Sequence, residues 1–172
     1  TRTAWELGLR AGEAFVARYV QDHGEWPRRI VFDLWGSAAM RTGGEDLAQA
    51  LWLIGARPVW DHASNRVSGF ELLTPASLGR PRIDVTLRIS GLFRDVFPEQ
   101  IALFHAAVNA VAAREEETAE DNPLKGSGPL VRIFGAAPGQ YGAGVARAGL
   151  GGGWEDRAEL GETYLAATSH AY

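Results

Sequence analysis

Apolar positions recur along this chain every three or four residues in some stretches and every second residue in others, and the change of period divides it into helices and strands. Trp5, Leu9, Gly12, Val16 and Tyr19 share one stripe and predict a helix over about 4–20, with Thr3 and Glu6 at capping-box spacing. Beyond Pro27 a short apolar run, Ile30-Val31-Phe32, continues to Leu34 and reads as a strand. Gly36-Ser37 then predicts a loop, and a second helix is expected to open near Gly43, with Leu47, Leu51 and Ile54 inward and Gly55 as its stop. Short strands are predicted at 57–60 and 67–72, joined by a polar turn through Ser64-Asn65, with a turn or single helical turn at 75–78. Residues 83–89 carry the clearest strand pattern. Pro98 suits the first position of a helix whose buried stripe is Ile101, Phe104, Val108 and Val111.

Residues 115–121 form a charge run expected to be solvated, and a further strand is predicted at 130–134. A glycine-rich stretch follows over 135–153, then a closing helix over about 155–166. Strand, loop and helix thus alternate, which predicts an α/β fold: a mostly parallel sheet flanked by helices in Rossmann-like layers. The expected organisation is a core over 1–121, a linker or shortened insertion over 122–129, and a C-terminal strand, glycine-rich loop and helix (130–172) packing on the same core.

With 172 residues, 46 % of them hydrophobic, the chain suits one domain with a real core. Its net charge of -4 gives no electrostatic footprint for nucleic acid. No window of eighteen apolar residues predicts a membrane span and no signal peptide is read at the start, so a cytoplasmic setting is expected. The absence of cysteine excludes disulfides, thiolate chemistry and sulfur-built zinc sites. His23, His62, His105 and His170 are scattered with no metal-ligand spacing, and no metal site is predicted. Neither phosphate-loop fingerprint nor nucleophile elbow is present. The six tryptophans are expected mostly in the core.

Three stretches carry candidate chemistry. In Arg41-Thr42-Gly43-Gly44-Glu45-Asp46, Thr42 and Glu45 have capping-box spacing, while adjacent glycines at a helix start would let a ligand approach backbone amides. Glu45 is then a cap, a carboxylate base, or both. Arg88, Arg94 and Asp95 stand at a predicted strand end, where they form either a structural ion-pair network or a carboxylate-binding set. Phe93 between them is either a core anchor or a flat wall beside a ligand. Tyr141, within the glycine-rich stretch, either belongs to a ligand-covering loop or sits among tight turns.

Several segments in order resemble the large subunit of the class I metal chelatases, the group that holds the large chains of the CobN-type cobaltochelatases and of the magnesium chelatases. They are Leu34-Trp35-Gly36, 41–49, 54–60, 78–85, Arg88-Ile89-Ser90-Gly91-Leu92-Phe93-Arg94-Asp95, Arg132-Ile133-Phe134-Gly135 and Tyr141-Gly142-Ala143-Gly144. Trp154, Tyr164 and Ala171-Tyr172 extend the match to the closing helix. Thr42-Gly43-Gly44-Glu45 and Tyr141-Gly142-Ala143-Gly144 look cobalt-type. The resemblance implies a fragment that binds the tetrapyrrole, with Glu45 as catalytic base and Arg41, Gly43, Gly44, Arg88, Ser90, Phe93, Arg94, Asp95, Tyr141 and Gly142 binding substrate. It implies ATP-dependent insertion of cobalt(II), the metal substrate, into hydrogenobyrinic acid a,c-diamide. Mg-ATP would sit on partner subunits, an AAA+ ATPase and its companion, and this segment would bind no cofactor of its own. The alternatives are a non-catalytic module docking the ATPase, or the equivalent segment of a magnesium-protoporphyrin chelatase.

Overall fold

The computed structural model describes residues 1–127, 130–142, 144, 150 and 156–172. Helix α1 (Arg2–His23) buries Ala4, Trp5, Gly8, Gly12 and Val16. It starts earlier than the sequence pattern predicts. Thr1 is the cap, its hydroxyl accepting from the Ala4 N–H at 3.1 Å, so Thr3 lies inside the helix and the expected Thr3–Glu6 box does not form.

Strand β1 (Arg29–Leu34) runs directly into helix α2 (Gly36–Thr42), where the sequence predicts a loop. Seven residues are too few to display a 3.6-residue period, and two of them are glycine and serine. Helix α3 (Glu45–Ile54) follows, with Leu47, Ala48 and every residue from Ala50 to Ile54 buried. A helix apolar nearly all round belongs at the centre of a domain. The glycines of α1 let α3 come close on one side: a Cβ at Gly8 would stand 2.5 Å from the Glu45 carbonyl oxygen, and one at Gly12 2.6 Å from the Trp52 ring. Gly55, with φ of 82°, ends α3 in the left-handed region.

Strands β2 (Ala56–Trp60) and β3 (Val67–Leu72) form an antiparallel hairpin separate from the main sheet. The single turn α4 (Pro75–Leu78) is capped by the Thr74 hydroxyl. Strand β4 (Asp84–Ile89) then pairs in parallel with β1, placing Asp33 opposite Arg88 and Leu34 opposite Ile89. Helices α5 (Gly91–Val96) and α6 (Pro98–Ala112) follow; α6 buries Phe104, Ala107, Val108 and Val111. Strand β5 (Ile133–Gly135) joins β4 in parallel, and after helix α7 (Arg157–Ala167), capped by Asp156, the two-residue β6 (His170–Ala171) closes the sheet antiparallel to β5. The order is β1-β4-β5-β6, an α/β fold with a largely parallel sheet. Val85, Leu87 and Ile89 enter the core from one face of β4, and Thr86 and Arg88 alternate onto the other, beside the exposed Val31 and Asp33 of β1.

Two expectations about burial change. The acidic run is not wholly solvated: the Glu117 side chain is 6 % exposed and makes a bidentate pair with Arg82, itself 0 % exposed. Trp5 and Trp52 are buried, but Trp26 and Trp35 are 42 % and 54 % exposed, and Trp154 lies outside the described residues. Among the described residues, no helix is long and apolar enough to cross a membrane.

Candidate functional site

Strands β1, β4 and β5 point the same way, so their carboxyl ends share one edge of the molecule. Each leaves the sheet at or beside a glycine, Gly36, Gly91 or Gly135. Ser90 ties two of these exits together. Its hydroxyl accepts from the N–H of Gly36 at 3.0 Å and of Phe93 at 3.1 Å, while its own N–H donates to the Leu34 carbonyl at 2.9 Å. Ser90 is therefore the N-cap of α5 and a clamp on the exit of β1.

Beyond this clamp lies a cavity of about 40 Å³, with Asp33, Trp35, Arg88, Ser90, Tyr164 and Thr168 among its walls and Gly142 at its margin. The Arg88 guanidinium lies 3.9 Å from the centroid of the Tyr164 ring and donates to the Thr168 hydroxyl. That hydroxyl in turn donates to the Tyr164 carbonyl at 2.6 Å. A guanidinium over an aromatic face is held by the ring quadrupole while its edge N–H groups remain free to donate.

Arg94 is engaged differently. Its Nη1 donates to the carbonyls of Ala136, Ala137 and Gln140 at 3.0, 2.8 and 3.2 Å, and its Nε and Nη2 pair with Asp95 at 2.7 and 3.0 Å. Asp95 also accepts from the Tyr141 hydroxyl at 2.5 Å. Arg94, Asp95 and Tyr141 thus form a latch on the loop after β5, and Gly91 fits beneath it, where a Cβ would stand 2.7 Å from the Tyr141 ring. The electrostatics agree. Hydrogen bonds from Arg94, then Tyr141, hold the Asp95 carboxyl below its ordinary range. The bond to Asp95 raises the Tyr141 phenol and, with a further bond to Tyr172, the Arg94 guanidinium.

The remaining predicted residues sit elsewhere. Gly43 and Gly44, with φ of 73° and 98°, make the α2–α3 junction and border a separate cleft of about 870 Å³ walled by Met40, Leu47, Trp60, Phe97 and Leu103. The Thr42 hydroxyl donates to the Ala38 carbonyl at 3.0 Å and accepts from the Glu45 N–H at 3.2 Å, so one hydroxyl joins the two helices. Glu45 is the first residue of α3, half-buried, and is not among the residues lining either cavity. Arg41 is exposed at the end of α2; its charge partly offsets the burial that raises the Asp46 carboxyl. Phe93, 1 % exposed, packs on Phe97 with ring centroids 5.0 Å apart.

The structure therefore brings Arg88, Ser90 and Gly142 to one cavity, with Arg94, Asp95 and Tyr141 alongside, and keeps Arg41, Gly43, Gly44 and Glu45 at another junction. Asp33, Tyr164 and Thr168 are additions that sequence reading did not supply. Asp33 was visible only as the one acid in an apolar strand, and Thr168 is 80 positions from the arginine it meets. Among the described residues no group of three or more His, Cys, Asp or Glu side chains could hold a metal ion.

The whole chain, residues 1–172, matches the family model described as CobN/Magnesium Chelatase. It is 48 % identical over its full length to an aerobic cobaltochelatase subunit CobN of Sinorhizobium sp, covering 15 % of that protein. Identity to the corresponding magnesium-chelatase chain of Rhodobacter capsulatus is 36 %, over 96 % of this chain and 15 % of that one. The solved catalytic subunit of cobaltochelatase from Mycobacterium tuberculosis superposes with a TM-score of 0.94 at 44 % identity, over all of this chain and 16 % of that chain. The chain thus spans about 15 % of the length of the relatives it matches. With a full-length family match and a near-superimposable fold at this identity, the chain belongs to the CobN/magnesium chelatase family.

Proposed function

We propose that this chain is a tetrapyrrole-binding portion of a cobalt-type chelatase large subunit, acting in ATP-dependent insertion of cobalt(II) into hydrogenobyrinic acid a,c-diamide. The observation that carries the reading is Arg88: a half-buried guanidinium beside a cavity at the carboxyl ends of parallel strands, with no carboxylate partner among the described residues. Such a strand-end crevice is the common ligand position in open α/β sheets. Higher identity to the CobN relative than to the magnesium-type one supports the cobalt class.

In this reading Arg88 and the Ser90 hydroxyl hold a polar arm at the rim of the macrocycle. Trp35 and Tyr141, 54 % and 66 % exposed, offer flat apolar surface beside it. Arg94 and Asp95 act through the loop they latch, because the Arg94 N–H groups are already taken up by protein acceptors. No step is assigned to Glu45, which borders neither cavity. Cobalt(II) enters as substrate, and an AAA+ ATPase with its companion supplies Mg-ATP hydrolysis in a cytoplasmic setting.

Titration of the full-length large subunit with hydrogenobyrinic acid a,c-diamide, followed by tryptophan fluorescence and absorbance, tests the proposal. Arg88→Ala is expected to weaken binding about 10- to 100-fold, the range of a hydrogen bond to a charged group, with circular dichroism unchanged. Absence of saturable binding by the wild-type subunit, with the ATPase partner docking normally, would replace this reading with that of a docking module.

A further inference from the structure

We infer that the free edge of β1 and the sheet face around Val31 form an interface inside the large subunit, filled by a further strand and its crossover helix from another segment of the same polypeptide. The inference rests on one part of the reading above, that this chain is a portion of a large subunit, and not on the ligand proposed for it.

Strand β1 is the outermost strand of the main sheet and pairs with β4 alone. In parallel pairing a strand turns alternate residues toward each of its two sides. The carbonyls of Arg28 and Leu34 accept from the Asp84 and Ser90 N–H groups, both at 2.9 Å, so the even-numbered positions of β1 face β4. The backbone N–H and C=O groups of Arg29, Val31 and Asp33 therefore point outward, and among the described residues they have no hydrogen-bond partner. Pairing is unbroken from Arg29 to Leu34, and the strand has neither the bulge nor the proline that blunts many solvent-facing edges. Such an edge is a template for one more strand.

The face beside this edge is open as well. Helices α3 and α6 lie in the connections that follow β1 and β4, and both join the core on the side of Val85, Leu87 and Ile89. Right-handed crossovers that step from β1 to β4 to β5 in one direction leave their helices on one side of the sheet. The described chain meets the opposite side at its carboxyl end, where Tyr164 and Thr168 reach Arg88. In the middle of the sheet Val31 remains 62 % exposed beside its register partner Thr86. Parallel sheets are found with both faces covered, and Ile30-Val31-Phe32 is the continuous apolar run of a strand buried on both. The charges suit a helix at this position. Arg132 already engages both oxygens of Asp84, which leaves Arg29, its side chain 83 % exposed, with charge to spare. A crossover helix running antiparallel to β1 sets its C-terminal carbonyls, the negative end of its dipole, over Arg29.

The same polypeptide supplies the occupant. This chain covers 15 % of its Sinorhizobium relative, so most of such a subunit lies outside it and is tethered to it at high effective concentration. A second copy of the chain fits less well: two β1 edges related by a two-fold axis would satisfy each other's backbone groups but would put no helix over Val31.

Hydrogen exchange at residue resolution and photo-cross-linking, both on the full-length large subunit without tetrapyrrole, test the interface. In the wild-type subunit the Val31 and Asp33 amides are expected to exchange on the order of 100-fold more slowly than unprotected amides. A benzophenone amino acid placed at position 31 is expected to cross-link within one polypeptide, to a segment outside these 172 residues. Exchange of both amides at the unprotected rate would overturn the added strand without recourse to any variant. Cross-links back to the 172 residues, between two copies, or to the ATPase or its companion would overturn the occupant. A subunit that gives the expected protection and cross-link yet binds no hydrogenobyrinic acid a,c-diamide keeps this interface and loses the ligand reading.

Discussion

Arg82 shows how one residue can hold several parts of a fold at once. Its Nη1 donates to the carbonyls of Ile54 and Gly55 at 2.9 and 3.1 Å, its Nη2 to Leu73 at 2.5 Å, and its Nε and Nη2 to Glu117 at 2.8 and 2.7 Å. All five N–H groups are satisfied, so a fully buried guanidinium is tolerated here. Arg82→Met leaves the Glu117 carboxylate buried without its partner and should cost about 3–5 kcal/mol in denaturant unfolding. The pair also sets a pH dependence. Burial pushes the Glu117 carboxyl up, but hydrogen bonds and charge from Arg82, then Arg114 and Asn122, outweigh it and hold the group below its ordinary 4.5. A carboxyl lowered on folding contributes stability that is complete above the unfolded value and lost as pH falls through the folded one. Urea midpoints should therefore drop on acidification below about pH 4.5, and Glu117→Gln should flatten that part of the profile.

Among the elements, the α1–α3 contact leaves no room for one added carbon. Alanine at position 8 would improve helix propensity by about 1 kcal/mol. Its Cβ would, however, meet the Glu45 carbonyl at 2.5 Å and the Gln49 nitrogen at 2.7 Å, both backbone atoms that cannot turn aside. Overpacking of this kind costs about 1–3 kcal/mol, so Gly8→Ala should lower the thermal midpoint despite the better propensity. The same elements show what a sequence can disclose. Helices α1, α3 and α6 and strand β4 were legible because each is long enough to repeat its period, and Gly55 and Pro98 marked their ends. Helices α2 and α5 were not, since six or seven residues give no repeat to count. The separation of β2 and β3 from the main sheet was hidden as well, because a strand pattern says nothing about which strand it pairs with. The site divided along the same line. Arg88, Ser90 and Arg94 stood out as polar residues at a strand end. Only the fold shows that Arg94 is occupied by the carbonyls of residues 136, 137 and 140, while Arg88 meets Tyr164 and Thr168.

At the scale of the whole molecule, the core is continuous from α1 through α3 to the sheet and α6, although the chain spans only about 15 % of its relatives. The Arg82 network joins its outlying parts, reaching acceptors 28, 9 and 35 positions away. Contacts that close several loops at once form only after those loops have lost their chain entropy. The network should accordingly be absent from the folding transition state, and its loss should appear almost wholly in the unfolding rate. Stopped-flow chevrons of Arg82→Met are expected to show a raised unfolding limb beside a nearly unchanged folding limb; a slowed folding limb would place the network in the nucleus instead. The buried arginine thus governs how long the native state lasts more than how quickly it is reached.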